Sequence, residues 1–155
     1  MKHYPVFLDL KDRPVLVVGA GQVALRKTRG LVEAGARVTV VAPACEPEFR
    51  SLPVRMVARR FRASDLAGAL LVFAATDNRL INHRIAMEAK GKGILANIAD
   101  SAQECDFLVP ARLARGNLQI AVSTGGQNPR LAADLRRKLE EVLDSAEWLS
   151  GRARL

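Results

Sequence analysis

The fold of this 155-residue chain is decided by the stretch VLVVGAGQVALRK, residues 15–27. Its first half is apolar and rich in β-branched residues, and its second half begins an apolar pattern of helical period, which predicts a strand, a tight turn and a helix. Gly19, Gly21 and Ala24 form the pattern G-x-G-x-x-A at this turn. In this context the pattern is typical of dinucleotide-binding sites, because glycine permits the turn and leaves room for a pyrophosphate. A plain strand-to-helix turn is the alternative.

The ribose contact of such a site departs from the usual pattern. An acidic residue is expected about 20 positions after the glycines, but the tip of the next predicted strand reads VVAPAC, residues 40–45, and the first carboxylate is Glu46. Backbone groups at this tip are therefore expected to hold the ribose, and the lack of an arginine there favours NAD over NADP. The predicted cofactor contacts are Gly19, Gly21, Gln22, Val23, Pro43, Ala44 and Thr76.

Strand and helix patterns alternate along the first two thirds of the chain. Strands are predicted at 14–20, 37–43, 54–59, 70–76 and 93–100, and helices at 22–34 and 78–90. This alternation implies parallel, right-handed crossovers. We therefore expect an α/β fold with a doubly wound, Rossmann-type parallel sheet that is covered on both faces.

The last third of the chain has a different pattern. Residues 106–113 and 117–124 predict two strands joined by too few residues for a crossover helix, so the strands are expected to pair antiparallel. A final helix is predicted from Pro129 onward. Its apolar positions have helical spacing and are Leu131, Leu135, Leu139 and Val142. We therefore expect a nucleotide-binding domain at 1–112 and a short hairpin and helix extension for dimerisation or substrate binding at 113–155.

The composition excludes several classes of protein. With 49% hydrophobic residues and no long apolar run, the chain is expected to form one core without a membrane span or a secretory signal, and hence to be cytoplasmic. Cys45 and Cys105 stand 60 positions apart, which favours ordinary packed or semi-buried thiols over a disulfide framework or a zinc site. No cluster of residues predicts a bound metal, and no Ser/His/Asp or Cys/His grouping predicts a nucleophile.

Three polar segments follow predicted strands, and open parallel sheets bind ligands at such positions. They are AATDN (74–78), NIAD (97–100) and STGGQNP (123–129). In the first segment, Thr76 or Asp77 is expected to cap the next helix. Asp100 follows the fifth strand where no helix needs a cap, which makes it the candidate catalytic residue. The third segment predicts either an anion-binding turn or a flexible corner.

Longer motifs extend over most of the chain. They are YPVFLDL, VLVVGAGQVALRK, LVEAGARVTVVAP, FAATDN with Asn82 beyond it, NIAD, DFLVPA and LQIAVSTGGQNPRLAADLR. In order and approximate spacing they resemble the dehydrogenase/ferrochelatase domain of siroheme synthase and its free-standing relatives. The resemblance implies oxidation of precorrin-2 to sirohydrochlorin with NAD, and some relatives also insert iron. A dehydrogenase alone and a bifunctional dehydrogenase and ferrochelatase both fit this resemblance.

The resemblance also assigns roles to residues. It makes Asp100 the general base, and its dinucleotide contacts fall on the same residues that the glycine turn and the strand tip predict. Precorrin-2 carries about eight carboxylates, so electrostatic attraction to this substrate would explain the net charge of +8. The expected substrate contacts are Ser123, Thr124, Arg112, Arg115 and Arg130. A homodimer that binds this small polycarboxylate, without nucleic acid or membrane, is the expected assembly.

Two other classes of function compete with this interpretation. The same fold in a regulatory module would bind NAD to change a partner's conformation without turnover, and Asp100 would then be dispensable. The basic charge balance alone favours a nucleic-acid-binding protein, whose binding would be strongly salt-dependent and independent of dinucleotides. With only 5% aromatic residues, the chain has few side chains on which single-stranded bases stack.

Overall fold

The computed structural model describes residues 3–145 and divides the chain into two compact units. The first unit, which we call the sheet unit, spans Pro5–Phe107. The second, which we call the hairpin unit, comprises residues 3–4 and 108–145 of the described chain. The sequence predicts the division after residue 112, a little further along the chain, and residues 146–155 of the predicted extension lie outside the described part.

The sheet unit contains five parallel strands and two helices. The strands are β1 (Pro14–Val18), β2 (Arg37–Val41), β3 (Arg55–Val57), β4 (Leu71–Ala74) and β5 (Leu95–Ile98), and the helices are α1 (Gln22–Glu33) and α2 (Arg79–Gly91). The strand order is β3-β2-β1-β4-β5, which confirms the doubly wound α/β prediction. The order reverses between β1 and β4, and open sheets of this type bind ligands at the carboxyl edge beside such a reversal.

Both faces of this sheet are covered. Val15 and Val17 of β1 belong to an apolar cluster with α1, whereas Leu16 and Val18 belong to a second cluster with α2. Because neighbouring residues of a strand point to opposite faces, a strand with a helix layer on each side must be apolar throughout. This requirement explains the unbroken apolar run of β1.

The hairpin unit contains an antiparallel pair of strands and one helix. Strand β6 (Ala111–Arg115) pairs with β7 (Leu118–Val122), and helix α3 spans Pro129–Ser145. The antiparallel pairing agrees with the prediction. In the described part of the chain, Leu113 and Ala132 are the only buried apolar residues of this unit.

The predicted start of β6 at residue 106 is wrong. The Asp106 carboxylate accepts the Ala96 N–H at 2.9 Å, and the Asp106 N–H donates to the Ala96 carbonyl at 2.9 Å. The Asn97 side-chain amide donates to the Phe107 carbonyl at 3.0 Å. Residues 106–107 therefore satisfy polar groups of β5, and the strand begins only after Pro110, which has no N–H to donate.

No helix among the described residues is long and apolar enough to cross a bilayer. The two cysteines are free thiols. Cys105 is half-buried, as expected, but Cys45 is exposed just after the end of β2, so the expectation of a packed or semi-buried thiol is wrong for Cys45.

Candidate functional site

Gly19 is required by the backbone of the turn after β1. Its φ of +103° is a conformation that side chains rarely adopt, and a Cβ atom there would stand 2.2 Å from the Ala75 carbonyl oxygen. The Gly19 N–H donates to the Val41 carbonyl at 3.0 Å. Glycine at this position therefore lets the turn pass closely between Val41 at the end of β2 and Ala75 just after β4.

Gly21 has a different reason to be glycine. Its φ of −84° is open to any residue, and a Cβ atom would meet no atom within 4 Å. No side chain caps α1, and the first turn carries no acidic residue. The N–H groups at a helix start have no intrahelical partners and attract anions. The uncapped start of α1 and the open space before Gly21 therefore fit a dinucleotide pyrophosphate, with Gln22 and Val23 exposed there.

The tip of β2 lies at the same edge of the sheet as the glycine turn. Pro43 and Ala44 are exposed after the strand ends. The Glu46 N–H donates to the Ala20 carbonyl at 3.0 Å, so the chain returns toward the glycine turn. Pro43 and Ala44, the predicted ribose contacts, are therefore exposed at the same edge as the glycine turn.

The cap of α2 differs from the prediction. Asn78, rather than Thr76 or Asp77, caps this helix, because its side-chain oxygen accepts the Ile81 N–H at 3.1 Å. The Thr76 hydroxyl accepts the Asn78 N–H at 3.2 Å and donates to the Asn82 side-chain oxygen at 2.7 Å. Thr76 therefore does not cap α2, and it lies two residues after the end of β4.

Asp100 is held at the end of β5 by two residues of α2. Its Oδ2 accepts from the Asn82 side-chain nitrogen at 3.0 Å, and its Oδ1 lies 3.7 Å from an Arg79 nitrogen. About a third of the Asp100 side chain is exposed, so a ligand can reach the carboxylate. Thr76 and Asp100, predicted separately, are thus brought together through Asn82.

Arg79 also belongs to a charged cluster beside this carboxylate. It pairs with Glu104, whose Oε1 lies 2.8 Å from Nδ1 of His83 as well. The hydrogen bond from Arg79, followed by that from His83, lowers the pKa of Glu104. The hydrogen bond with Glu104 in turn raises the pKa of Arg79. Arg79 therefore stays protonated beside Asp100, and its charge is shared between Glu104 and Asp100.

A second polar cluster is formed by the side chains that contact Asn97 of β5. The Lys27 Nζ donates to the Asn97 side-chain oxygen at 2.7 Å and lies 5.5 Å from the Phe73 ring centre. Burial, with a smaller contribution from Arg26, lowers the pKa of Lys27. Burial raises the pKa of the Cys105 thiol, whose sulfur accepts the Ile98 N–H at 3.1 Å. Cys105 is accordingly a packed thiol, as the sequence predicts.

Sequence reasoning named Asn82 only as part of a motif and gave it no role, and it did not single out Arg79 or Lys27 as neighbours of the site. Asn82 had a detectable signal. It stands at helical spacing from the buried residues Ile85, Ala86 and Ala89 of α2, so a polar side chain there requires a buried partner. Lys27 stands three residues after Ala24 and four before Leu31, both buried in α1, so the same signal was present there. Arg79 lies in the first turn of α2, an ordinary position for an exposed charge.

The predicted substrate contacts lie in the hairpin unit. The Thr124 hydroxyl accepts the Asn128 N–H at 3.1 Å, and the Ser123 hydroxyl accepts the Gly125 N–H at 3.1 Å. Arg115 pairs with Asp144 at 2.9 Å and with Glu140 at 3.3 Å. Arg130 is exposed in the first turn of α3, and Arg112 lies in β6. The structure therefore gathers the hydroxyl pair at the start of α3 and ties Arg115 to that helix.

Comparisons with known proteins place the chain in a family. Residues 6–111 match the family described as "Putative NAD(P)-binding", and residues 115–141 match "Sirohaem biosynthesis protein central". The solved structure of SirC, precorrin-2 dehydrogenase, is similar with a TM-score of 0.75 and 32% sequence identity, over 90% of this chain and 71% of SirC. The chain belongs to the siroheme synthase and precorrin-2 dehydrogenase family. The family resemblance seen in the sequence motifs is thereby confirmed.

Longer members of the siroheme synthase family are also similar. Siroheme synthase 2 of Aeromonas salmonicida is 43% identical over 160 residues, which cover 99% of this chain and 33% of the relative. The siroheme synthase of Methylococcus capsulatus is 42% identical over 149 residues, which cover 94% of this chain and 31% of the relative. The chain spans about a third of the length of these curated relatives.

Proposed function

We propose that this chain oxidises precorrin-2 to sirohydrochlorin with NAD⁺, as a step in siroheme biosynthesis. The observation that carries the proposal is the placement of Asp100 in the sheet unit. This exposed carboxylate follows β5 at the same edge as the open glycine turn after β1. The similarity to the precorrin-2 dehydrogenase SirC supports the substrate.

The cofactor is expected at the carboxyl edge of the sheet. The backbone of Gly21, Gln22 and Val23 would hold the pyrophosphate, and the backbone of Pro43 and Ala44 the ribose. The absence of a carboxylate or an arginine between Val41 and Glu46 supports backbone recognition of an unphosphorylated ribose, hence NAD. When bound, NAD⁺ supplies a hydride acceptor.

Asp100 supplies the acid–base half of the oxidation. Oxidation would remove one hydride and one proton from the macrocycle: bound NAD⁺ would supply the acceptor for the hydride and its two electrons, and the Asp100 carboxylate would accept the proton. The products are therefore the oxidised macrocycle, reduced cofactor and a protonated carboxyl group, which balances atoms and charge. Asn82 and Arg79 each hold one Asp100 oxygen, so the carboxylate is oriented before the substrate arrives.

Substrate carboxylates are proposed to bind in the hairpin unit. Ser123 and Thr124 offer hydroxyls before the start of α3, and Arg112, Arg115 and Arg130 offer positive charge. Since Arg115 is paired with Asp144 and Glu140, it would exchange an internal ion pair for one with the substrate.

We further propose that the chain is a cytoplasmic homodimer. The proposal is supported by an apolar stripe on α3, whose members remain substantially exposed: Leu131, Leu135, Leu139 and Val142. Monomeric proteins rarely expose a continuous apolar stripe of this kind. Sedimentation of the full chain, compared with a Leu135→Asp variant, tests the dimer; a wild-type monomer at micromolar concentration would contradict it.

An anaerobic incubation with precorrin-2 and NAD⁺ tests the activity. NADH absorbance and the sirohydrochlorin spectrum should rise together. Asp100→Asn should retain NAD⁺ binding and lose most, but not all, of its turnover. Gly21→Val, whose side chain enters open space, should fold normally and lose NAD⁺ affinity. NAD⁺ binding without turnover in the wild type would instead favour the regulatory module. Ferrous iron added to the product then tests iron insertion as a separate activity.

A further inference from the structure

We infer that Asn82 is a positioning residue for Asp100, because its buried amide ties the Asp100 carboxylate to Thr76 at the end of β4. The inference rests on the proposed function, in which Asp100 accepts a proton. Asn82 itself is completely buried, so it does not touch a substrate. It acts through the side chain that does.

The Asn82 amide has all its hydrogen-bonding groups paired. Its oxygen accepts the Thr76 N–H at 3.2 Å and the Thr76 hydroxyl at 2.7 Å. Its nitrogen donates to the Thr76 carbonyl at 3.1 Å and to Asp100 Oδ2 at 3.0 Å. A flipped amide would place its oxygen against two acceptors and its nitrogen against the Thr76 N–H donor. The amide therefore has one orientation, and in that orientation a donor faces Asp100.

This hydrogen bond is needed because the sheet ends just before Asp100. The last sheet-like backbone contact joins the Ala99 N–H to the Ala74 carbonyl at 2.9 Å. Beyond it, Asp100 lies in a turn in which the Ser101 N–H donates to the Ile98 carbonyl at 3.4 Å, and a second short turn follows at residues 102–104. The second partner of the carboxylate, Arg79, is nearly half exposed and is also paired with Glu104. Asn82 is therefore the one buried partner of the Asp100 carboxylate in the described part of the chain.

A purely structural role for Asn82 would need only its contacts with Thr76. These contacts fix the start of α2 against the end of β4 and would persist without Asp100. A positioning role requires in addition that the contact with Asp100 affect catalysis. The two roles thus differ in whether the effect of removing Asn82 depends on the residue at position 100.

A double-mutant cycle measures this dependence. At saturating NAD⁺, which removes any effect of the lost Thr76 contacts on cofactor affinity, Asn82→Ala is expected to lower kcat about 10- to 100-fold, as misplacement of a catalytic group does. In an Asp100→Asn background, the added Asn82→Ala change should alter the residual kcat by less than about twofold. Equal losses in both backgrounds would show a structural role and overturn the inference.

Asn78→Ala is the matched control. Both variants remove an asparagine from the start of α2, but Asn78 caps the helix and makes no contact with Asp100. Asn78→Ala should lower the melting temperature with little change in kcat. If it lowers kcat as much as Asn82→Ala does, helix stability rather than positioning explains the result, and the inference fails.

A measurement without turnover separates this inference from the proposed function. In the ¹⁵N-labelled protein, the Asn82 side-chain NH₂ signals are assigned by their loss in Asn82→Ala. Asp100→Asn should shift one of these two signals and speed its exchange with solvent. Unchanged signals would overturn the contact itself. Shifted signals in a protein that binds NAD⁺ but leaves precorrin-2 unoxidised would reject the proposed function, and with it the positioning role, while the contact stands.

Discussion

The sheet unit and the hairpin unit differ sharply in how they bury apolar side chains. Within residues 3–145, the sheet unit contains all but two of the 25 buried apolar residues. The hairpin unit contains only Leu113 and Ala132, although its helix α3 is the longest in the described chain. The hairpin unit thus has regular secondary structure with almost no hydrophobic core of its own among the described residues.

This difference has a physical cause. The central strands β1 and β4 are packed against apolar clusters on both faces, so every residue of β4 and all of β1 except Pro14 are buried. The two-stranded hairpin has one helix and leaves most of its residues at the surface. Catalytic geometry that must be held within fractions of an ångström therefore belongs in the sheet unit, where Asp100 and the glycine turn lie.

The strongest test of the comparison produces each unit as a separate chain. A chain of residues 108–145 is expected to show no cooperative unfolding transition, because it is below the size at which a core forms without additional constraints. Residues 1–107 should unfold cooperatively and retain NAD⁺ binding. Circular dichroism melts and an NAD⁺ titration measure both properties. A cooperative melt of the 108–145 chain would contradict the division of stability between the units.

A matched pair of leucine substitutions sharpens the comparison. Leu66→Ala should destabilise the protein by about 2–5 kcal/mol, since this side chain is fully buried in the sheet unit. Leu135→Ala on α3 should cost about 0.5 kcal/mol or less in the monomer, since its side chain is 41% exposed. Urea unfolding of both variants measures the difference. Equal losses at a protein concentration where sedimentation shows a monomer would contradict the comparison, since in the proposed dimer Leu135 belongs to the interface stripe.

An asparagine caps one helix in each unit, and replacing these two caps is expected to show a smaller difference in stability between the units. Asn78 accepts the Ile81 N–H at 3.1 Å at the start of α2, and Asn128 accepts the Leu131 N–H at 2.9 Å at the start of α3. Each change to alanine removes about 1 kcal/mol of capping. Asn78→Ala should lower the global free energy of unfolding, whereas Asn128→Ala should mainly increase local hydrogen exchange in α3. Amide exchange monitored by NMR distinguishes the two.

The smallest predicted effect concerns acid stability in the sheet unit. Two hydrogen bonds from Arg59, at 2.8 and 2.6 Å, lower the pKa of Asp65 below its ordinary value of 3.8. A depressed folded pKa contributes stability above the unfolded value, and this contribution is lost as the pH falls through the folded value. Asp65→Asn should therefore reduce stability at pH 7 and flatten its decline below about pH 4. The exposed pair of Arg115 and Asp144 serves as the control, since Asp144→Asn should change stability at pH 7 less.

Much of the fold follows from local sequence patterns. The apolar run of β1, the glycine turn and the helical period of α1 predict their elements nearly to the residue. The start of β6 does not follow in this way, because Asp106 forms hydrogen bonds with Ala96 instead of extending the hairpin. The cap of α2 was predicted one or two residues early, since threonine, aspartate and asparagine are all good capping residues and only the backbone geometry selects Asn78.

The candidate site is predictable only in part. Asp100 is identified by its place after an apolar strand with no helix to cap. Its partner Asn82 stands 18 positions away, and the Lys27 and Asn97 pair is separated by 70 positions. No local period relates residues at such distances.

The sequence by itself determined the parallel sheet, the glycine turn and the acidic residue at the end of β5, because these depend on short-range apolar spacing and backbone freedom. Only the tertiary structure decided which polar groups meet. The strand order sets β5 beside β4, so that Asp100 and Thr76 reach the same buried amide of Asn82. Hydrogen bonds require contact within about 3 Å, and crossover connections bring these groups that close.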